Sequence, residues 1–125
     1  MTGEILTVIE DTTVEDALRI LVNNRITGLP VVDKAGKMVG VVSEYDLLVQ
    51  LSKKEKPDAE VFKQKIEFSK QVHAVKTGVA LKEIVPMFVQ SKFRRLPVID
   101  EGGKLVGIIT RRDMMRIYYY RARLG

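Results

Sequence analysis

The chain repeats itself. Displaced by 67 positions, residues 25–48 lie over residues 92–115 without a gap, and nine of those 24 positions are identical. A repeat of this period marks a supersecondary unit that cannot bury its apolar face alone. Two copies in one short chain predict a pseudo-symmetric pair of units and two related but non-identical sites.

The register extends beyond the identical stretch. Val14, Ala17, Leu18, Leu21 and Val22 form one face of an amphipathic helix, and Leu81, Ile84, Val85, Phe88 and Val89 repeat it 67 residues later. Thr12 and Glu15 have the spacing of a capping box at the start of the first helix. Pro86, inside the second pattern, predicts a kink or a shifted start, because proline removes a backbone donor. A short β-prone run precedes each helix, at 6–9 and 73–76. Each helix is followed by Leu-Pro-Val-Val-Asp (29–33) or Leu-Pro-Val-Ile-Asp (96–100), read as a short strand with proline at its beginning. A tight turn (34–37, 101–104), a second apolar strand (38–42, 105–109) and a helix from Glu44 or Arg111 complete each copy. The order β-α-β-β-α, twice, predicts an α+β fold of two pseudo-symmetric units packed sheet to sheet.

The expected organisation is a first repeat over 1–51, a linker over 52–71 and a second repeat over 72–125. The linker is rich in Lys and Glu, with Pro57 opening a helix over 58–69. The last helix is expected to outrun its counterpart, and it carries Tyr118, Tyr119 and Tyr120 among arginines. Apolar content of 46% can supply a core, and the absence of cysteine removes disulfides and thiol chemistry. No apolar run is long enough to span a membrane as a helix, and residues 1–5 lack a signal-peptide pattern, so a cytoplasmic location is expected.

The repeated unit resembles the CBS (cystathionine β-synthase) domain. The resemblance rests on Leu-Pro-Val-Val-Asp-x-x-Gly-Lys-Met-Val-Gly-Val-Val-Ser-x-x-Asp in the first copy and Leu-Pro-Val-Ile-Asp-x-x-Gly-Lys-Leu-Val-Gly-Ile-Ile-Thr-x-x-Asp in the second. It covers nearly the whole chain outside the linker. It implies a regulatory module of two sheets back to back with helices outside. Such modules bind adenosyl ligands (AMP, ADP, ATP or S-adenosylmethionine) between the repeats, without catalysis and without a catalytic cofactor.

The segments Gly40-Val-Val-Ser43-Glu-Tyr-Asp46 and Gly107-Ile-Ile-Thr110-Arg-Arg-Asp113 each run from a strand end into a helix start. Ser or Thr followed three residues later by Asp is a helix cap that needs no ligand. The same geometry offers a phosphate the N–H groups of a helix N-terminus, and offers ribose hydroxyls a carboxylate. In the resembled family this is the ribose–phosphate grip. Arg94 and Arg95 precede the second copy's strand, and with Arg111 and Arg112 they suit phosphate oxygens. The first copy has Thr27 and Gly28, and Glu44 and Tyr45, at those positions. The Asp113 site should therefore be cationic and the Asp46 site neutral or acidic. The resemblance further places Leu6, Ile26 and Thr27 against the base bound at Asp113. It places His73, Phe93 and Arg94 against the base bound at Asp46, with Tyr45 beside that site. As a lone histidine at a strand edge, His73 also fits a purely structural role.

No acid–base pair, metal-ligand cluster or activated nucleophile can be assembled. The net charge of +5 favours anionic partners without singling out nucleic acid. A homodimer is expected, because Leu18, Leu47, Leu48, Val85, Met114, Met115 and Ile117 offer more apolar surface than so small a module buries alone. The tyrosines suit a protein contact better than base stacking. A regulated partner protein is compatible with this reading. A module that binds nothing and only braces or dimerises, or one that binds nucleic acid, are the rival readings.

Overall fold

The computed structural model describes residues 5–53, 58–91 and 94–124. The chain divides into two compact units, Leu6–Val72 and the remainder. The first holds β1 (Val8–Ile9), α1 (Val14–Asn24), β2 (Gly28–Val32), β3 (Met38–Ser43), α2 (Glu44–Ser52) and α3 (Asp58–Phe62). The second holds β4 (Val75–Lys76), α4 (Leu81–Ser91), β5 (Arg95–Ile99), β6 (Leu105–Thr110) and α5 (Arg111–Leu124). Each unit is a three-stranded mixed sheet, ordered β1-β2-β3 or β4-β5-β6, with its helices packed against it. No helix among the described residues is long and apolar enough to cross a membrane.

The sheets match residue for residue. β1 runs parallel to β2 and β2 antiparallel to β3, and the register slips between Val31 and Val32; the second sheet slips between Val98 and Ile99. The shared Asp–x–x–Gly–Lys explains the turns. Asp33 Oδ1 accepts from the N–H of Ala35 (2.9 Å) and of Lys37 (3.0 Å), and Asp100 Oδ1 does the same for Gly102 and Lys104 (both 2.9 Å). Gly36 and Gly103 take φ of 85° and 87°, where a side chain would be strained. These identities serve the fold.

The prolines sit in the middle of β2 and β5, not at their beginnings. Val41, opposite Pro30, exchanges both its backbone hydrogen bonds with Ser69 on the far side. The missing Pro30 N–H therefore belongs on the β1 side, and β1 pairs only from Val31 onward. No ladder bond is lost. Pro86 likewise leaves the bounds of α4 in register with those of α1, so the expected shifted start does not occur. The proline lies on an exposed face, where water can serve the carbonyl it leaves unpartnered.

The cap of α1 corrects the expectation by one residue. Thr13 is the N-cap, accepting from the N–H of Asp16 at 3.2 Å. Thr12 instead accepts from the N–H of Ile9 at 3.1 Å and closes the turn after β1. The helix ends on Arg25 in the left-handed region (φ 52°), whose N–H returns to Leu21 and Val22.

The segment read as a linker helix over 58–69 is helical only to Phe62, and its opening residue, Pro57, lies outside the described residues. Beyond Phe62 it becomes a strap on the first unit. Thr13 bridges Lys65, Ile66 N–H donates to Thr12 O, and Ser69 pairs with Val41 on the outer edge of β3. The buried Gln50 of α2 holds the strap at two points, donating to Lys65 O (2.8 Å) and accepting from Glu67 N–H (2.9 Å). Val61 is fully buried and Ile66 joins the core. A Cβ on Gly40 would fall on Ser69 O and within 2.8–2.9 Å of the Phe68 ring, so only glycine lets the strap lie this close.

Candidate functional site

Each sheet delivers its last strand directly into a helix, and this junction builds the site. Ser43 ends β3 and caps α2. Its Oγ accepts from Asp46 N–H (3.1 Å) and donates to Asp46 Oδ2 (2.9 Å), while Ser43 N–H donates to the same Oδ2 (2.8 Å). Thr110 ends β6 and caps α5 in the same way: Asp113 N–H donates to Thr110 Oγ1 (3.0 Å) and Thr110 N–H to Asp113 Oδ2 (2.8 Å). All four side chains are half-buried. The capping role read from the sequence is thus realised in both copies. It fixes each carboxylate at a helix start, and Asp46 Oδ1 accepts no hydrogen bond among the described residues.

The first-turn amides are partly spoken for. Glu44 N–H donates to Thr27 O at 2.8 Å, and Arg111 N–H to Arg94 O at 3.2 Å. The third amide of each helix goes to the Ser or Thr hydroxyl. Between them, the N–H of Tyr45 and that of Arg112 meet no acceptor among the described residues. Each helix therefore offers an anion one outward amide, beside a hydroxyl and a carboxylate, at the positive end of its dipole.

The same bonds bring the residue before each strand to the site. Arg95 stands opposite Thr110 in the β5–β6 register, as Gly28 stands opposite Ser43 in β2–β3. Arg94, Arg95 and Arg112 are exposed around the Thr110–Asp113 cap. Arg111 is exposed too, yet its Nη2 donates to Phe88 O at 3.4 Å, which turns the guanidinium toward α4. The first copy sets Thr27, Gly28, Glu44 and Tyr45 at these places, with Glu44 and Tyr45 exposed. Leu6, Ile26 and Thr27 belong to the first unit and His73 to the second. Phe93 lies outside the described residues.

Four of the residues expected to supply apolar surface serve other ends, and one of them, Leu18, packs against the first core. Leu47 and Met114 are core residues of their own units, and Val85 packs against the second core. Leu48, Met115 and Ile117 are exposed. Tyr118, Tyr119 and Tyr120 are all exposed; Tyr119 and Tyr120 meet edge to face, and Arg121 and Arg123 lie over the rings of Tyr118 and Tyr119. Sequence reasoning missed Gln50, whose burial is decided by the strap it holds. Its only signal was a polar residue at the position where the second copy has Ile117.

Two copies of one sheet-and-helix unit, each ending in a Ser/Thr–x–x–Asp cap, define a tandem-repeat class. The model of the CBS domain matches residues 1–53 and 65–120, and the chain belongs to that family. It is 36% identical to the chloroplastic CBS domain-containing protein CBSX1 of Arabidopsis thaliana, over 91% of this chain and 62% of that protein. It resembles the crystal structure of CBSX2 in complex with AMP, with 34% identity and a TM-score of 0.77 over 95% of this chain and 90% of that one. It is also 32% identical to the inosine-5'-monophosphate dehydrogenase of Methanocaldococcus jannaschii, over 90% of this chain but 21% of the enzyme. The chain spans about six-tenths of the full length of CBSX1 and 55% of that of CBSX2.

Proposed function

We propose that this chain is a regulatory module that binds an adenosyl ligand through its two Ser/Thr–x–x–Asp helix starts. The observation that carries the reading is the duplicated capping carboxylate, which in Asp46 is held by its cap through Oδ2 alone. The other oxygen of Asp46 can accept from ribose hydroxyls while the cap stays intact. The outward amide and the hydroxyl suit a phosphate. The AMP carried by the CBSX2 structure, from a relative similar over nearly the whole chain, supports this ligand class.

The two grips are unequal in this reading. Their caps match, so the difference lies in Arg94, Arg95 and Arg112 against Thr27, Gly28 and Tyr45. A charge-assisted hydrogen bond contributes about 1.5–3 kcal/mol, less where solvent screens it, so one arginine contact favours the second grip by roughly tenfold. Occupancy regulates only to the extent that the ligand binds two arrangements of the protein with different affinity.

Isothermal titration with AMP, ATP and S-adenosylmethionine tests the reading. Asp113→Ala should remove the tighter phase, Asp46→Ala should leave it, and Arg95→Ala should weaken AMP far more than adenosine. Absence of heat with all three ligands would sink the function. Loss of the tight phase on Asp46→Ala alone would reverse the assignment.

A further inference from the structure

The two grips share a cap and differ in the charge set around it. The matched stretches 38–52 and 105–119 carry two acids, Glu44 and Asp46, in the first copy, and three arginines with Asp113 in the second. No cation lies between Lys37, before β3, and Lys53, after α2. Lys53 is answered by Glu67 of the strap (3.8 Å), and Lys65 by Asp11 (3.1 Å). Arg25 closes α1, but the second copy has Lys92 at that position, so this cation does not separate the two. Glu44 makes no ion pair among the described residues, unlike Glu15, Asp16 and Glu67. Tyr45 is 71% exposed, and among the described residues its ring meets no cation, whereas Tyr118 and Tyr119 lie under Arg121 and Arg123.

We propose that the Asp46 grip selects an adenosyl ligand whose 5′ arm carries a fixed positive charge, the sulfonium amino acid of S-adenosylmethionine, while the Asp113 grip selects a phosphate arm. This rests on the reading of both helix starts as adenosyl grips and adds which arm each one takes. A phosphate at the first grip would reach the Tyr45 N–H and the Ser43 hydroxyl. It would also set about two negative charges beside Glu44 with no arginine of this copy to offset them. A sulfonium amino acid answers each group in turn. Its carboxylate takes the outward amide at the helix start. Its ammonium pairs with Glu44. Its sulfonium, a cation with no proton to donate, takes the face of the Tyr45 ring.

The second copy reverses each of these terms. Arg111 and Arg112 stand where the first copy has Glu44 and Tyr45, and Arg94 and Arg95 precede the strand that faces Thr110. These cations repel a sulfonium and suit a phosphate. With one grip of each kind, the chain is set to read two classes of small molecule at once, not one class twice.

Isothermal titration of the full chain tests this. The second grip is silenced by Asp113→Ala or, in the wild type, filled beforehand with AMP at a level that saturates the tighter phase. S-adenosylmethionine and S-adenosylhomocysteine differ by one methyl group and the fixed charge, so their ratio reads the sulfonium. S-adenosylmethionine should bind the Asp46 grip about fivefold tighter than S-adenosylhomocysteine, and tighter than AMP. Tyr45→Leu should cut that ratio to about twofold or less. Glu44→Gln should weaken both amino-acid ligands about threefold relative to adenosine, and should strengthen AMP by a similar factor. Both substitutions lie at exposed positions outside the Ser43–Asp46 bonds, and far-UV circular dichroism confirms that the variants fold. Equal binding of S-adenosylmethionine and S-adenosylhomocysteine, or AMP binding this grip more tightly than either, overturns the proposal while adenosine binding keeps the adenosyl reading intact. A preference that survives both Tyr45→Leu and Glu44→Gln overturns it too. No binding of adenosine or of any of the three ligands brings down the proposal and the adenosyl reading together.

Discussion

The core of the first repeat is buried more completely than that of the second. The six largest fully buried side chains, Leu29, Leu47, Val14, Val31, Val42 and Val61, all lie in the first unit. Their counterparts in the second, where present, are buried less completely, although the strands, turns and caps agree position by position. The difference comes from the segment that joins the first repeat to the second. Residues 58–69 add Val61, Ile66 and Phe68 to the first core, and the described residues of the second unit show no equivalent. Near-identical units thus reach different burial because burial depends on neighbours as well as on the unit.

The largest expected effect tests that contrast in the cores. Leu47→Ala should cost about 3–4 kcal/mol, because a fully buried site cannot relax into the cavity. Met114→Ala, at the equivalent position in the less completely buried core, should cost only about 2 kcal/mol. Urea unfolding of the two variants measures both, and equal losses would erase the distinction. A smaller effect isolates the strap. Gln50→Ala removes three hydrogen bonds, two of them to the strap's backbone, and should cost about 2 kcal/mol. Hydrogen exchange should quicken at the amides of Ile66, Glu67 and Ser69 while β4, β5 and β6 keep their protection; uniform quickening would mean the strap is not a separate device. The smallest effect concerns the grips. A Cβ at Gly28 would meet nothing closer than Val42 O at 3.5 Å, so Gly28→Arg should fold and reproduce the charge of Arg95 in the first copy. AMP should then bind the Asp46 grip roughly tenfold more tightly by titration, which is about 1.4 kcal/mol. No change would show that charge before the strand does not set the inequality.

The repeat made most of the fold legible. A 67-residue register carried the helices, the strand pairs and the turn aspartates from one copy to the other, and it placed Arg95 where Gly28 stands. The capping pairs Ser43–Asp46 and Thr110–Asp113 were legible because spacing alone dictates that bond. Thr12 and Thr13 were not separable: each is followed three residues later by an acid, and the strand pairing that precedes the helix chooses between them. The strap was hidden for another reason. Val61, Ile66 and Phe68 do not share one helical face, so the composition and Pro57 suggested a helix over 58–69 that ends at Phe62 instead. Contact with α1, α2 and Gly40, distant in sequence, fixes them instead. For the same reason the burial of Gln50 could not be read from one copy by itself.

The strap also decides when the first repeat can be finished. Val14 and Ala17 lie near the N-terminus, yet the residues that close over their helix arrive only with 61–69. A ribosome adds about 5–20 residues per second, so a nascent chain that has just completed α2 waits roughly one to four seconds more for its cover. During that interval it presents the apolar helix faces of a half-built core. A fragment cut at residue 51 would be held permanently at that stage, whereas one extended to Val72 would carry its own lid.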